Sequence, residues 1–333
     1  MGLQIAVVPA GMWGTALAVP AAQGGHTVRL WRRTPGWTKT WDRGHQALPG
    51  LRLPQNVVGC ETVAEAVAEA DLVILAPASG ALRAHCQWIR PHLRRDVLLV
   101  SVTKGLDPER HLRMSQVIAE ELPEHRGRIA ALSGPNFAQE VAAGLPTGTV
   151  VACPDRAVAE AVQDALMTSR FRVYTNPDLV GVELAGALKN VMAIAAGISD
   201  GLGMGDNARA ALITRGLAEI SRLGAALGAS PFTFAGLAGL GDLVLTCTSD
   251  TSRNRRLGLA VGRGESAESF TARTGLTVEG LTTARAAYHW ARSLGVEMPI
   301  TEQVYTVLYE GRSPLEAMEQ LMNRERTREL WTA

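Results

Sequence analysis

Between residues 181 and 198 a run of small and apolar residues, GVELAGALKNVMAIAAGI, is broken by a single Lys–Asn pair. On a helix Lys189 shares its face with Gly186, Ala193 and Gly197, one or two turns away. Neighbours with almost no side chain predict open space around the ammonium, which suits a ligand. An ammonium held in such a place tends toward a lowered pKa, which suits proton transfer near neutral pH. The alternative is a lysine that snorkels out of an apolar helix with its head in water.

The elements that must position this lysine divide the chain in two. Short apolar runs come first: LQIAVVP, HTVRLW, DLVILAP, VLLVSV, RIAALS, GTVVAC and FRVYT, with helical stretches such as GTALAVPAAQGG between them. Continuous Val/Ile/Leu runs separated by helices predict a parallel sheet covered on both faces. From about residue 179 the strand-like runs stop and helical patterns take over at 181–198, 206–228 and 279–295. The expected boundary is the TNPDLVG stretch, with an α/β domain over 1–180 and an all-helical domain over 181–333.

In an open parallel sheet ligands bind beyond the carboxyl ends of the strands. The segments expected there are PAGMWG (9–14), RRTPG (32–36), PAS (77–79), TKG (103–105) and SGPN (133–136). Glycines, hydroxyls and cations in one rim suit an anionic ligand. The first loop is an altered dinucleotide fingerprint in which Gly11 and Gly14 hold the last two glycine positions and Pro9 replaces the first. Gly11 would admit the pyrophosphate and Gly14 would allow close packing of helix on strand. The second strand ends on Arg32 and Arg33, with no acid before Asp42. Two guanidiniums there would clamp a 2′-phosphate and favour NADP over NAD, and Arg33 is the better placed of the pair. A solvated basic turn is the alternative.

Composition excludes several classes. The chain has 333 residues, 47% of them hydrophobic, with a net charge of +1, so neither nucleic acid nor an anionic membrane is an expected partner. RNRRLG at 253–258 and RTREL near the end are local basic features. Cys60, Cys86, Cys153 and Cys247 lie far apart with no C-x-x-C, which points away from a metal site or disulfide framework and toward a reducing cytoplasm. The N-terminal MGLQIAVVPAG lacks a secretion leader, and no apolar stretch reaches membrane-spanning length without a charge or a glycine-rich break.

Taken together these segments resemble the bacterial NAD(P)-dependent glycerol-3-phosphate dehydrogenase family, from Ile5 to the C-terminal region. AGMWGTALA, SVTKGL, SGPNFAQEVAAGLPT, ELAGALKNVMAIAAGISDGLGMGDNARAALITRGLAEI, GLAGLGDLVLTCTSDTSRNRRLG and VEG carry the likeness, in that order. The resemblance implies a Rossmann-type doubly wound sheet followed by an all-helical substrate domain. The implied reaction is the reversible reduction of dihydroxyacetone phosphate to sn-glycerol 3-phosphate for phospholipid synthesis. It implies Lys189 as the proton-transfer lysine, with Asn190 beside it, and Lys104 as a second active-site lysine. Gly134, Asn136, Asp242, Thr246, Ser252, Arg253 and Asn254 complete the implied substrate shell. Gly11, Met12, Trp13, Gly14, Arg32, Arg33, Lys104, Ala138, Arg253, Thr277 and Glu279 match cofactor positions. It leaves a homodimer open. Two departures stand out: Pro9, and Pro20 in the following helix, which it should end or kink.

The residue types suit this chemistry. Hydride addition to a ketone leaves an alkoxide, which an ammonium such as Lys189 both stabilises and protonates. Asp242 can keep a lysine charged and aimed, its alternative being a capping acid in a glycine turn. Arg253 follows a Thr/Ser/Asp cluster that reads as a helix start, where a fork of donors would meet a phosphate. Arg255 and Arg256 read as a solvated face, and of the early tryptophans only Trp13 sits in the nucleotide loop. A 3-hydroxyacid or 6-phosphogluconate type of dehydrogenase lacks the SGPNF and SRN segments. A nucleotide sensor that had lost catalysis would need no Lys104, Lys189 and Asp242.

Overall fold

The computed structural model describes residues 2–325, so the RTREL segment lies outside the described residues. Eight strands form one sheet: β1 (Gln4–Val8), β2 (Thr27–Trp31), β3 (Val57–Cys60), β4 (Leu72–Leu75), β5 (Leu98–Ser101), β6 (Ile129–Ser133), β7 (Thr147–Ala152) and β8 (Phe171–Asn176). Their order is β3-β2-β1-β4-β5-β6-β7-β8. The chain thus reverses direction of travel between β1 and β4, which makes a doubly wound sheet with a crevice at that point. Alternation along the strands fills two cores. Ile5, Val7, Ile74 and Val100 face one layer, and Ala6, Val8, Val73 and Leu99 face the other.

Four expectations need correction. The strand Val57–Cys60 was not expected, because four residues that include Gly59 make no continuous apolar run. The sheet is mixed rather than parallel, since β7 runs antiparallel to β6. The β6–β7 connection contains only the five-residue helix Ala138–Ala142, where a parallel return needs a full crossover. Cover on both faces also fails at β8, where Arg172 and Tyr174 are exposed. Pro20 does not end its helix, which runs from Met12 to Gln23; Pro20 lies in the final turn, and its carbonyl accepts from Gly24.

A further core, in the helical half, surrounds the helix Leu179–Gly201, in which every residue from Gly181 to Ser199 is buried. A helix apolar all round belongs in an interior. It is the one described helix long and apolar enough to cross a membrane, and 83% of its apolar window is buried inside the protein. Gly205–Ala226, Asp242–Thr248, Arg253–Gly262, Glu279–Leu294 and Pro299–Tyr309 pack around it. The tightest of these contacts is with Arg253–Gly262. A Cβ added at Gly197 would lie 2.1 Å from the Arg255 carbonyl oxygen, and one at Gly258 would lie 2.1 Å from that of Ile194. Only paired glycines let the two backbones approach so closely.

Candidate active site

The loop at 9–14 follows β1 directly and leads into the helix Met12–Gln23. A Cβ at Gly14 would lie 2.7 Å from Val7 Cγ1 and 2.8 Å from the Pro9 carbonyl oxygen, so a glycine is what lets helix meet strand here. A Cβ at Gly11 would meet nothing within 4 Å, which leaves open space over the loop. The helix that begins at Met12 has no side-chain cap, so its first backbone donors remain available to an anion. Trp13 Nε1 and Arg32 Nη2 are buried without a partner among the described residues. An uncapped helix start, an open cradle and orphaned donors in adjoining segments fit a dinucleotide.

The two arginines differ in position. Arg32 donates from Nε to the Ala10 carbonyl at 2.9 Å and lies over the Trp37 ring at 5.0 Å. It is partly committed to bracing the loop, whereas Arg33 is exposed. Ala138 is buried at the start of its short helix, and Thr277 is exposed just before the helix Glu279–Leu294.

The chemistry converges on one carboxylate. Asp242, 1% exposed, follows a π-helical turn at Leu237–Gly241 and begins the helix Asp242–Thr248. Lys189 Nζ donates to its Oδ1 at 2.5 Å and to Thr246 Oγ1 at 2.7 Å. Lys104 Nζ donates to its Oδ2 at 2.9 Å and to the Gly134 carbonyl at 2.6 Å. An ammonium has three donors, so each lysine keeps one for a ligand. The Lys189 pKa is pushed down to about 8, chiefly by burial and further by Lys104, with Asp242 opposing.

This arrangement removes the snorkelling alternative, because Lys189 is 6% exposed. It also corrects the reason given for the small neighbours. Their face is not open: Gly186 lies against Ser133 Oγ and the Lys104 stem, and Gly197 against the helix Arg253–Gly262. The glycines admit backbone and partner side chains, and the space beside the ammonium is filled by Asp242 and Thr246.

Asparagines bind the surrounding segments together. Asn190 Nδ2 donates to the Lys104 carbonyl at 2.9 Å, Asn254 Nδ2 to Asn190 Oδ1 at 2.8 Å, and the Gly280 N–H to Asn254 Oδ1 at 2.9 Å. Arg253 is exposed, at the start of a helix capped by the buried Ser252, whose Oγ accepts from the Arg255 N–H at 3.2 Å. Asn136 is tied to β7, donating to the Gly148 carbonyl and accepting from Thr149 Oγ1, both at 3.1 Å. Gly134 has a φ of +150°, a backbone conformation that favours glycine, and thus presents its carbonyl to Lys104.

Arg255 is not solvated. It donates from Nε to Asp200 Oδ2 at 2.9 Å and from Nη1 to Asp250 Oδ1 at 2.5 Å, while Arg256 is exposed as expected. The Glu279 carboxylate accepts from the Ser79 N–H at 2.9 Å and from its hydroxyl at 2.5 Å. Ser79 was visible in the sequence only as part of the PAS loop, and its position after an apolar strand was the single signal. Among the described residues no group of three His, Cys, Asp or Glu side chains could hold a metal.

The model of the NAD-dependent glycerol-3-phosphate dehydrogenase N-terminus matches residues 4–159, and that of the C-terminus matches 178–319. A glycerol-3-phosphate dehydrogenase [NAD(P)+] of Symbiobacterium thermophilum is 69% identical over 98% of this chain and 96% of its own length. One from Geobacillus thermodenitrificans is 48% identical over 98% and 96%. The crystal structure of glycerol-3-phosphate dehydrogenase from Coxiella burnetii superposes with a TM-score of 0.90 at 38% identity, covering 97% of this chain and 99% of that one. The chain belongs to the NAD-dependent glycerol-3-phosphate dehydrogenase family.

Proposed function

We propose that this protein reduces dihydroxyacetone phosphate to sn-glycerol 3-phosphate, reversibly, with NADPH favoured over NADH. The observation that carries the reading is the Lys189–Asp242–Lys104 cluster, in which one buried carboxylate accepts from both ammoniums. Residues 1–180 serve as the dinucleotide-binding domain and 181–333 as the substrate domain. Arg32 and Arg33 supply the preference for a 2′-phosphate. The enzyme works in the cytoplasm and feeds glycerophospholipid synthesis.

When bound, the dinucleotide supplies the hydride. The chain's own residues do the rest. Arg253 and the start of its helix hold the substrate phosphate, with Ser252 and Asn254 fixing that turn. Gly134, Asn136 and Asn190 frame the remainder of the substrate. Lys104 directs its third N–H to the substrate oxygens. Lys189, about 90% protonated at pH 7 for a pKa of about 8, gives its proton to the developing alkoxide. Asp242 keeps both ammoniums aimed. Mixing the protein with NADPH and dihydroxyacetone phosphate and following nicotinamide absorbance tests the reading. Turnover that needs the phosphate supports it, and no turnover refutes it.

A further inference from the structure

The carboxylate of Glu279 and both donors of Ser79 meet although the two residues are 200 positions apart. Ser79 is 5% exposed, in the loop beyond β4, next to the strand that carries the nucleotide loop. Gly105 closes the third side: a Cβ there would lie 2.5 Å from Glu279 Oε2 and 2.9 Å from Ser79 Cβ. Three segments therefore meet at one point, namely the loops after β4 and β5 and the first residue of the helix Glu279–Leu294. From that point a polar path returns to the chemistry. Gly280 is held by Asn254, Asn254 holds Asn190, and Asn190 holds the carbonyl of Lys104, the residue before Gly105.

We propose that Ser79 is a positioning residue, latching the sheet layer to the helical layer through Glu279 so that hydride and proton reach one carbonyl group in register. This rests on the reading of the cleft given above. The nucleotide cradle belongs to the sheet, whereas Lys189, Asp242 and Arg253 belong to the helices. Their relative placement therefore depends on what joins the two layers beside the site. Ser79 does so with a charge-assisted pair of bonds to a single carboxylate. Removing its hydroxyl leaves only the backbone donor, and the hold on Glu279 and its helix is loosened. Because substrate phosphate is held wholly by the helical layer, the loss falls on the chemical step rather than on substrate affinity.

The test compares the parent with Ser79→Ala, Glu279→Gln and the double variant. In Ser79→Ala, kcat for dihydroxyacetone phosphate should fall about tenfold or more, since a displacement near 1 Å at a reacting centre costs up to about 100-fold. KM for dihydroxyacetone phosphate and the stoichiometry of NADPH binding should stay at parent values. The primary isotope effect on kcat with deuterated NADPH should rise, because chemistry becomes more nearly rate-limiting; a merely structural loss would not move it. The double variant should lose less in kcat and in Tm than the product or sum of the single losses. A parent-like kcat in Ser79→Ala, or an unchanged isotope effect, overturns the latch. If the parent itself shows no turnover, the functional reading fails instead, and the Tm cycle still reads the latch, which additive losses would overturn.

Discussion

Replacing Lys189 by methionine keeps length and apolar stem but removes the ammonium. Two hydrogen bonds disappear, to Asp242 at 2.5 Å and to Thr246 at 2.7 Å. Asp242 keeps Lys104 as its charged partner, so the variant does not strand a lone buried charge. Two stability effects oppose one another. Burial of the ammonium, which pushes the Lys189 pKa down to about 8, is a desolvation cost that methionine relieves. The lost charge-assisted bond costs roughly 1.5–3 kcal/mol. The net change in stability should therefore stay within about 2 kcal/mol, while turnover should fall by about 100-fold or more, the range for a general acid.

The pH dependence follows from the same lowered pKa. In the parent, kcat/KM for ketone reduction should fall as pH rises through about 8, where Lys189 loses its proton, and oxidation of glycerol 3-phosphate should rise over the same interval. Stability runs the same way as oxidation. The folded state binds its lysine proton more weakly than the unfolded chain does, so the penalty is full below pH 8 and fades between about 8 and 10.5. Urea unfolding and steady-state kinetics, both followed from about pH 6 to about pH 10.5, measure all of these. Turnover within tenfold of the parent would refute Lys189 as proton donor. A stability loss above about 4 kcal/mol would make it a structural pin.

Other substitutions separate the remaining roles. Arg253→Ala should lower kcat/KM for dihydroxyacetone phosphate by about 10- to 150-fold, from a charge-assisted bond of roughly 1.5–3 kcal/mol; dihydroxyacetone, lacking the phosphate, should be equally poor with variant and parent. Arg33→Ala should erode the preference for NADPH over NADH, measured as the ratio of the two kcat/KM values, while Arg32→Ala should weaken both cofactors because it also unbraces the Ala10 carbonyl. Gly258→Ala should lower Tm by wedging apart two helices whose backbones would then clash at 2.1 Å, a strain of about 1–3 kcal/mol or more; an unchanged Tm would show that the helices shift freely.

The sequence by itself determined the division into a strand-rich half and a helical half, the loops at the carboxyl ends of the strands, and the lysine in an apolar helix. These are local signals: burial imposes a period on each element, and a turn imposes its residue types. Runs such as DLVILAP declare a fully buried strand wherever they occur, whereas VVGC, four residues with a glycine, is a strand only because β2 offers it partners. The antiparallel turn into β7 was equally hidden, since the direction of a strand depends on whether its connection crosses the sheet. At the site, residue types singled out Lys189, a strand-end loop contained Lys104, and the family resemblance supplied Asp242, each one at a time. Only the tertiary structure places both ammoniums on one carboxylate, 53 and 138 positions away in sequence. The same holds for Arg255, which the pattern left in solvent until Asp200 folded against it, and for the glycines beside Lys189, whose missing side chains serve the approach of another helix. Periodicity reports that a face is covered; what covers it is decided by the crossing of distant elements, and that information exists only once they have packed.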